Sequence, residues 1–425
     1  MRTSLLITGS LGLTILSGVP IAFLLGIVSS AYLVLVADTP LFLIGGYIFS
    51  GLTSYAYAAL PFFILTGILM NKTRITDDFI AFADMLVGRL PGSLAQINIL
   101  VSILFAGISG AAVADTAAVG SILIPMMKKQ GYTAEYSAAI TTASSVIGPI
   151  IPPSAIMVVY GSVTGISLGT LFIAGIIPGL LIGAGLMVMA MFFALRDKHP
   201  RRKEAFVWER AQYAVKRAGI GLILTGTLLA GLLSGFFTPA EAAIMACAYV
   251  IYVGVFVLKT LTLKDITASI AEAAVTASAI LLVIASAHLF SIVLTTENIP
   301  EIIAGMIKNT AGSRFVFLLL VNIFLLFLGM IMEASAIVVI LAPILLPIAV
   351  GFGVHPIHFS LIMLVNANIG LATPPLGVCL FSVAPIAKVK YERIALAALP
   401  FIGIEIAVLM LMTYFPELIL IIPRG

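Results

Sequence analysis

From Leu5 to Val36 the chain carries no charged side chain. As one helix that run would extend about 48 Å, against a hydrocarbon core of about 30 Å, so it must break. Ser17-Gly18-Val19-Pro20 supplies the break and leaves two apolar helices. Similar runs recur along all 425 residues, of which 61% are hydrophobic and 9% charged. A soluble chain of this length would charge roughly a quarter of its positions. Soluble enzyme folds, nucleic-acid binding and disordered scaffolds are thereby excluded. The alternation of a membrane barrel is missing, so the expected class is an all-α polytopic membrane protein.

Punctuation divides the chain into five expected parts: 1–91 scaffold and arm helices, 92–195 a first core, 196–217 a basic loop, 218–312 further scaffold and arm helices, and 313–425 a second core. Leu41–Tyr57 reads as an aromatic-rich interfacial arm and Ala58–Met70 as a crossing. Asp77–Arg89 reads as an amphipathic helix lying in the interface. Arg196–Arg217 holds eight of the 22 Lys and Arg residues, so the positive-inside rule places it in the cytoplasm, with Trp208 as an interface anchor. Cys247 and Cys379 both sit in apolar runs and give no disulfide framework.

The organising feature is an internal repeat. Shifted by 222 residues, Pro125 meets Pro347, Gly131 meets Gly353, Gly148 meets Gly370, Pro152-Pro153 meets Pro374-Pro375, and Pro178 meets Pro400. Five crossings are counted between the halves (134–163, 168–195 and three within 218–294). An odd number turns the second copy upside down, giving inverted-topology repeats. Each copy holds a long apolar stretch interrupted by small or polar residues, 97–128 and 315–350, with arms too short to cross comfortably. These read as re-entrant hairpins. Each also holds a helix split by Pro-Pro, within 134–163 and 356–387, where missing amide donors free upstream carbonyls. Inverted repeats with broken helices are the architecture of secondary transporters, with the site at the midplane.

Freed carbonyls and hydroxyls are hard oxygen ligands for a small cation, and half-helix N-termini favour an anion. One expected cluster is Ser109, Gly110 and Asp115 with Ser144, Ser145 and Gly148. The other is Gly329, Glu333, Ser335, Asn366, Asn368, Gly370 and Thr373. Sodium is expected at Ser109, Gly110, Asp115, Ser145, Gly148, Gly329, Glu333, Gly370 and Thr373, with at least two ions per cycle. The anionic substrate is expected at Ser109, Ala111, Ser154, Ser335, Asn366 and Pro375.

The stretches Leu-Thr-Gly-Ile-Leu-Met-Asn (65–71), Ser-Gly-Ala-Ala-Val-Ala-Asp (109–115), Ile-Gly-Pro-Ile-Ile-Pro-Pro-Ser (147–154), Phe-Thr-Pro-Ala-Glu-Ala-Ala (237–243) and Ile-Gly-Leu-Ala-Thr-Pro-Pro-Leu-Gly (369–377) carry a resemblance. With 171–179 and 327–330 they span nearly the whole chain. It resembles the large membrane subunit, DctM/SiaM type, of TRAP (tripartite ATP-independent periplasmic) transporters. The resemblance implies sodium coupling, a small four-helix membrane subunit, a soluble periplasmic binding protein and a core that moves as an elevator in the bacterial inner membrane. Two positions depart from it: Ala111 stands where many members have serine, and Glu333 where aspartate is common. The implied cargo is an organic acid, sialic acid or a C4-dicarboxylate, with a sugar monocarboxylate preferred because no extra arginine lies near either tip.

Other residues take plainer readings. Thr238, Pro239 and Glu241 form a helix start. Glu272 and Glu405 receive no role, His288 is a packed polar residue, and His355 and His358 are loop residues without a third metal ligand. Gly175, Gly179 and Gly183 form a stripe for close helix packing. No phosphate loop, zinc signature or nucleophile elbow is present, so no enzyme is expected. The rivals are a stand-alone sodium–dicarboxylate symporter and an ion channel. The outer segments carry Asp38, Glu297, Glu301, Lys308, Glu417 and Arg424, a sparse charge set for transient docking of the binding protein.

Overall fold

The computed structural model describes residues 21–53, 55–73, 75–199, 208–298, 302, 305 and 312–421. Leu5–Pro20, Arg201, Arg202, Glu301, Lys308, Arg424 and the Trp208 side chain lie outside the described residues. Among those described, every regular element is helical. The helices are α1 (Ile21–Leu35), α2 (Leu41–Ser50), α3 (Ala59–Lys72), α4 (Ile75–Val87), α5 (Ser93–Ser109) and α6 (Ala112–Lys129). Next come α7 (Ala134–Ser145), α8 (Ala155–Thr164), α9 (Leu168–Arg196), α10 (Trp208–Leu233), α11 (Pro239–Tyr252) and α12 (Leu263–Thr296). The last six are α13 (Arg314–Gly329), α14 (Ala334–Gly351), α15 (Pro356–Ala372), α16 (Val378–Ala387), α17 (Tyr391–Tyr414) and α18 (Glu417–Leu420). Among the described residues, six helices are long and apolar enough to cross a membrane. The chain is an all-α polytopic membrane protein.

The 222-residue offset holds for the folded elements. α6 begins at Ala112 and ends at Lys129, and α14 begins at Ala334 and ends at Gly351, the same offset at both ends. Pro125 inside α6 matches Pro347 inside α14, and Pro178 inside α9 matches Pro400 inside α17. Both Pro-Pro bonds, Pro152-Pro153 and Pro374-Pro375, are cis. The two copies also trade contacts. α16 of the second packs on α6 and α7 of the first, while α8 of the first packs on α14 of the second. Each broken helix therefore sends its second half onto the other copy's hairpin.

Local chemistry sets the hairpin and helix ends. α5 stops because Gly110 takes a left-handed φ of 59°, and Ala111 is extended before α6 starts. Thr238 and Glu241 close a reciprocal cap on α11, with the Thr238 amide donating to Glu241 Oε2 at 2.8 Å. The glycine stripe of α9 has a specific task. Side chains at Gly175 and Gly179 would strike Ile150 and Ile151, and one at Gly183 would strike Ile103. The broken helix's unwound segment thus lies directly on the bare face of α9.

Around this core, α3 packs against α11 and α12, and α1 packs against α12. Three expectations change. α3, which overlaps the expected crossing 58–70 and ends at Lys72, has only 14 residues, about 21 Å at the helical rise, and falls short of a bilayer. α4 buries only part of its apolar face, with Leu86 left exposed. It packs on α5 and α10, with Phe79 fully buried, and Asp78 accepts from Arg217 Nε at 3.0 Å. Its apolar stripe is as well matched to a protein neighbour as to a membrane surface, so periodicity alone could not choose. His358 is no loop residue: it is buried within α15, its Nε2 2.9 Å from the Met412 carbonyl, while His355 caps that helix.

Candidate functional site

The first break begins where α7 ends at Ser145. Val146, Ile147 and Gly148 donate to the carbonyls of Ala143, Ser144 and Ser145 at 3.2, 3.2 and 3.1 Å. The helix tightens to three-residue turns before the prolines stop it. Gly110 at the hairpin tip then lies on the far side of the break. A β-carbon there would stand 2.9 Å from the Pro153 carbonyl oxygen and 3.1 Å from Ser154 Cα. Ser154 caps α8 and donates to the Pro149 carbonyl at 2.6 Å, tying the loop across itself.

Asp115, in the first turn of α6, is fully buried. Its carboxylate occupies the volume that a side chain at Gly148 would need, with Asp115 Cγ 3.0 Å from that β-carbon position. Thr116 Oγ1, one residue on, donates to Ser145 Oγ at 2.7 Å, and Ser145 donates to the Thr142 carbonyl at 2.7 Å. Gly110, Asp115, Ser145, Gly148 and Ser154 are thus brought together at one tip. Ser144 turns the other way, into a buried lattice with Asn98, Ser102 and Thr141 at 2.7–3.0 Å that fixes α7 to α5. The Ser109 side chain lies outside the described residues, and Ala111 is exposed at the tip.

The second break is arranged differently. α15 remains helical through Gly370 to Ala372, so the unwinding starts at Thr373 rather than at the glycine. A β-carbon on Gly370 would collide with the Gly329 backbone, and one on Gly329 would stand 2.9 Å from Gly370 Cα. Hairpin and broken helix here meet backbone to backbone. Asn366 is buried and donates to Asn322 Oδ1 at 2.6 Å and to the Ile362 carbonyl at 2.8 Å. Asn368 and Thr373 bond back to Leu364 and Ile369 within their own helix. Pro375 is exposed, its carbonyl accepting from Tyr391 at 2.6 Å.

Glu333 is not the partner of Asp115. The residue at the 222-residue offset from Asp115 is Ile337, and Glu333 matches Ala111. Glu333 is exposed and caps α14, accepting the Ser335 amide at 3.0 Å and the Ser335 hydroxyl. The two expected clusters therefore form two tips of unlike chemistry, and only the first holds a buried carboxylate.

The family model described as tripartite ATP-independent periplasmic transporter, DctM component, matches residues 8–418. The chain belongs to that family. It is 35% identical over 418 residues to the sialic acid TRAP transporter large permease SiaM of Vibrio cholerae, covering 98% of this chain and 97% of that one. Over 370 residues it is 41% identical to the C4-dicarboxylate TRAP transporter large permease DctM of Pseudomonas aeruginosa, covering 87% of this chain and 86% of that one. The fold matches the Alcanivorax borkumensis YdaH transporter with a TM-score of 0.62 at 16% identity, over 87% of each chain. As a TRAP large permease the chain is a transporter subunit, not an enzyme.

Several residues at the TRAP core escape a sequence reading. Cys379 of α16 sets its thiol against the Thr116 and Ser145 hydroxyls, so the second copy reaches the first copy's tip. Its neighbour in sequence, the Pro-Pro break, was the only signal. Asn322 and Thr413, 3.2 Å apart, lie outside any short motif. His288, read above as a packed polar residue, is instead exposed: it lies over Gly51, its Nε2 3.4 Å from Ser50 Oγ, beside a cavity of about 350 Å³ that also meets Tyr57, Ser162 and Pro343.

Proposed function

We propose that this TRAP large permease imports an organic acid of the sialic acid or C4-dicarboxylate class by sodium symport across the bacterial inner membrane. The observation that carries the reading is the Asp115 carboxylate, fully buried at a hairpin tip and pressed against Gly148 where the helix unwinds. An acidic group inside a membrane protein is costly unless it serves a cation or a proton. Here Ser145 and the turn carbonyls offer further oxygen donors beside it. The second tip, with Gly370 and Thr373 in the matching place, supports a second sodium built from backbone and hydroxyl oxygens. The organic anion sits between the tips, near Ser154 and the N-terminus of α8, where the helix dipole favours negative charge.

The cargo arrives on a periplasmic binding protein, and a small four-helix subunit completes the membrane complex. Relatives named for sialic acid and for C4-dicarboxylates are about equally similar to this chain, which supports a core that selects little and a partner that selects more. The odd number of crossings between the hairpins supports inverted copies. The exchange of α8 and α16 between copies supports one core moving as a body, in the manner of an elevator, against α1, α3, α11 and α12.

The test is uptake into liposomes holding this chain and its small subunit. Labelled sialic acid and succinate are offered, each with its binding protein and in sodium or potassium. Uptake rising steeply with sodium, with a Hill coefficient above one, is the expected result. Equal uptake in potassium refutes the symport. Full uptake without any binding protein converts the reading to a stand-alone symporter.

A further inference from the structure

Glu405 stands in the middle of α17, inside an apolar 24-residue helix, and is fully buried. Both carboxyl oxygens lack a hydrogen-bond partner among the described residues. Among the described residues no base pairs with it. α17 packs against α7, α9, α15 and α16, and none of their titratable side chains hydrogen-bonds to either Glu405 oxygen. Glu135 of α7 pairs with Arg393, and Tyr136 packs on Phe401. Arg196 of α9 pairs with Asp197, and His358 of α15 meets the Met412 carbonyl. Cys379 of α16, which packs against α17, lies within electrostatic reach of Glu405.

That placement matters, because Cys379 lies on the Thr116 and Ser145 hydroxyls at the first tip. Glu405 therefore belongs to the layer of side chains around the first tip, within electrostatic reach of Cys379. An ionised carboxylate with no partner is not stable in such surroundings; it must take up a cation or a proton. A hard metal cation asks for about six oxygens. Among the described residues no three acidic, His or Cys side chains gather into a ligand set, and no hydroxyl or amide reaches either Glu405 oxygen as hydroxyls do at the first tip. A single carboxyl suits a proton.

We propose that Glu405 is a proton-binding site of the transport core, exchanging its proton as the core cycles. When water reaches the carboxylate, hydronium gives one proton to a carboxyl oxygen and leaves water. When the layer closes, the neutral acid is sealed in. Release to water on reopening restores the carboxylate. Sealing thus requires the proton, and transport slows when alkaline solution withholds it. The site rests on the transporter reading above, but its occupancy is measurable without transport.

The full chain is reconstituted with its small subunit, and infrared spectra are recorded in heavy water for the parent, Glu405→Gln and Asp115→Asn. The parent should show a protonated-carboxyl C=O band at neutral pH that survives in Asp115→Asn and vanishes in Glu405→Gln. Absence of that band in the parent overturns the proposal, whatever the sodium experiments give. Uptake of labelled substrate is then followed from acid to alkaline pH. Parent and Glu405→Gln should coincide in acid. As pH rises the parent should fall by up to about tenfold per unit while the Gln variant stays level. Identical pH profiles for the two would mean a permanently neutral acid and overturn proton exchange. Glu405→Met, which cannot ionise, repeats both readouts should the Gln variant fail to fold.

Discussion

In the first copy the chain unwinds from Val146 through Pro153, across Gly148, whereas in the second α15 stays helical past Gly370 and opens only over 373–377. The two breaks share a cis Pro-Pro bond, a facing hairpin and an identical offset. What fills them differs. Gly148 yields its side-chain space to a buried carboxylate, and Gly370 yields it to the backbone of Gly329. One backbone device thus supports two kinds of tip, one holding a buried carboxyl group and one with only backbone groups and hydroxyls. A site with a carboxylate binds a cation more strongly and suffers more when emptied, because its charge stays buried. On the sodium-symport reading proposed above, the second tip would therefore be the weaker cation site.

The largest expected effect tests the backbone contact. Gly370→Ala puts a methyl into the Gly329 main chain, where no rotamer change relieves it. Overpacking of this kind costs about 1–3 kcal/mol or more. Transport should be abolished, and the melting temperature in detergent should fall. Gly148→Ala meets a side chain instead. Its stability defect should largely disappear in the Gly148→Ala/Asp115→Ala double variant, although transport stays lost. Equal, additive losses in that cycle would show that Asp115 does not occupy the Gly148 space.

Next in size is the difference in sodium dependence between the tips. Asp115→Asn keeps the shape and removes the charge, so the sodium concentration for half-maximal uptake should rise by about tenfold or more, since each 1.4 kcal/mol of lost attraction is tenfold. Thr373→Ala removes one neutral oxygen that already donates to Ile369, and a shift of about two- to fivefold is expected, about 0.4–1 kcal/mol. If Thr373→Ala proves the more severe, the charged tip is not the stronger site.

A smaller effect, on stability alone, is expected from the lattice behind the second tip. Asn366→Leu leaves Asn322 Oδ1 without its donor inside the core, at a cost of about 1–3 kcal/mol. A thermal melt in detergent reads this loss. Sodium half-saturation should hardly change, because Asn366 faces α13 rather than the break. A large sodium shift would place its amide in the site after all.

Much of this was readable from prolines and glycines. Pro152-Pro153 and Pro374-Pro375 located both breaks, since a residue without an amide donor has one structural consequence wherever it falls. The glycine stripe of α9 announced close packing, though not that its neighbour is the broken segment. The side-chain chemistry was less legible. Asp115 and Glu333 look alike as acids near hairpin tips, yet four residues separate their places in the repeat. That is about one helical turn, enough to move an acid from the first turn of a helix to its cap. Glu405 gave no signal because its importance lies in what surrounds it, and its neighbours come from α7, α9, α15 and α16. Cys379 became part of the first tip only through the exchange of α16 between copies.

The smallest expected effect decides whether the two tips are truly unlike. Glu333 is exposed, and its carboxylate accepts the Ser335 amide at the start of α14. As a helix cap it should be worth about 1 kcal/mol. Glu333→Gln keeps an acceptor oxygen and should lower the melting temperature by no more than a degree or two, about what a few tenths of a kcal/mol would do. Glu333→Ala should cost about the full cap. Neither should move the sodium concentration for half-maximal uptake by more than about twofold, since the side chain is committed to the backbone beside it. The measurement is a sodium titration of uptake with both variants alongside Asp115→Asn. A tenfold sodium shift in Glu333→Gln would mean that the carboxylate leaves its cap and enters the second tip during transport. The copies would then each contribute one acid, and the asymmetry argued from Gly370 and Gly148 would be a property of one conformation.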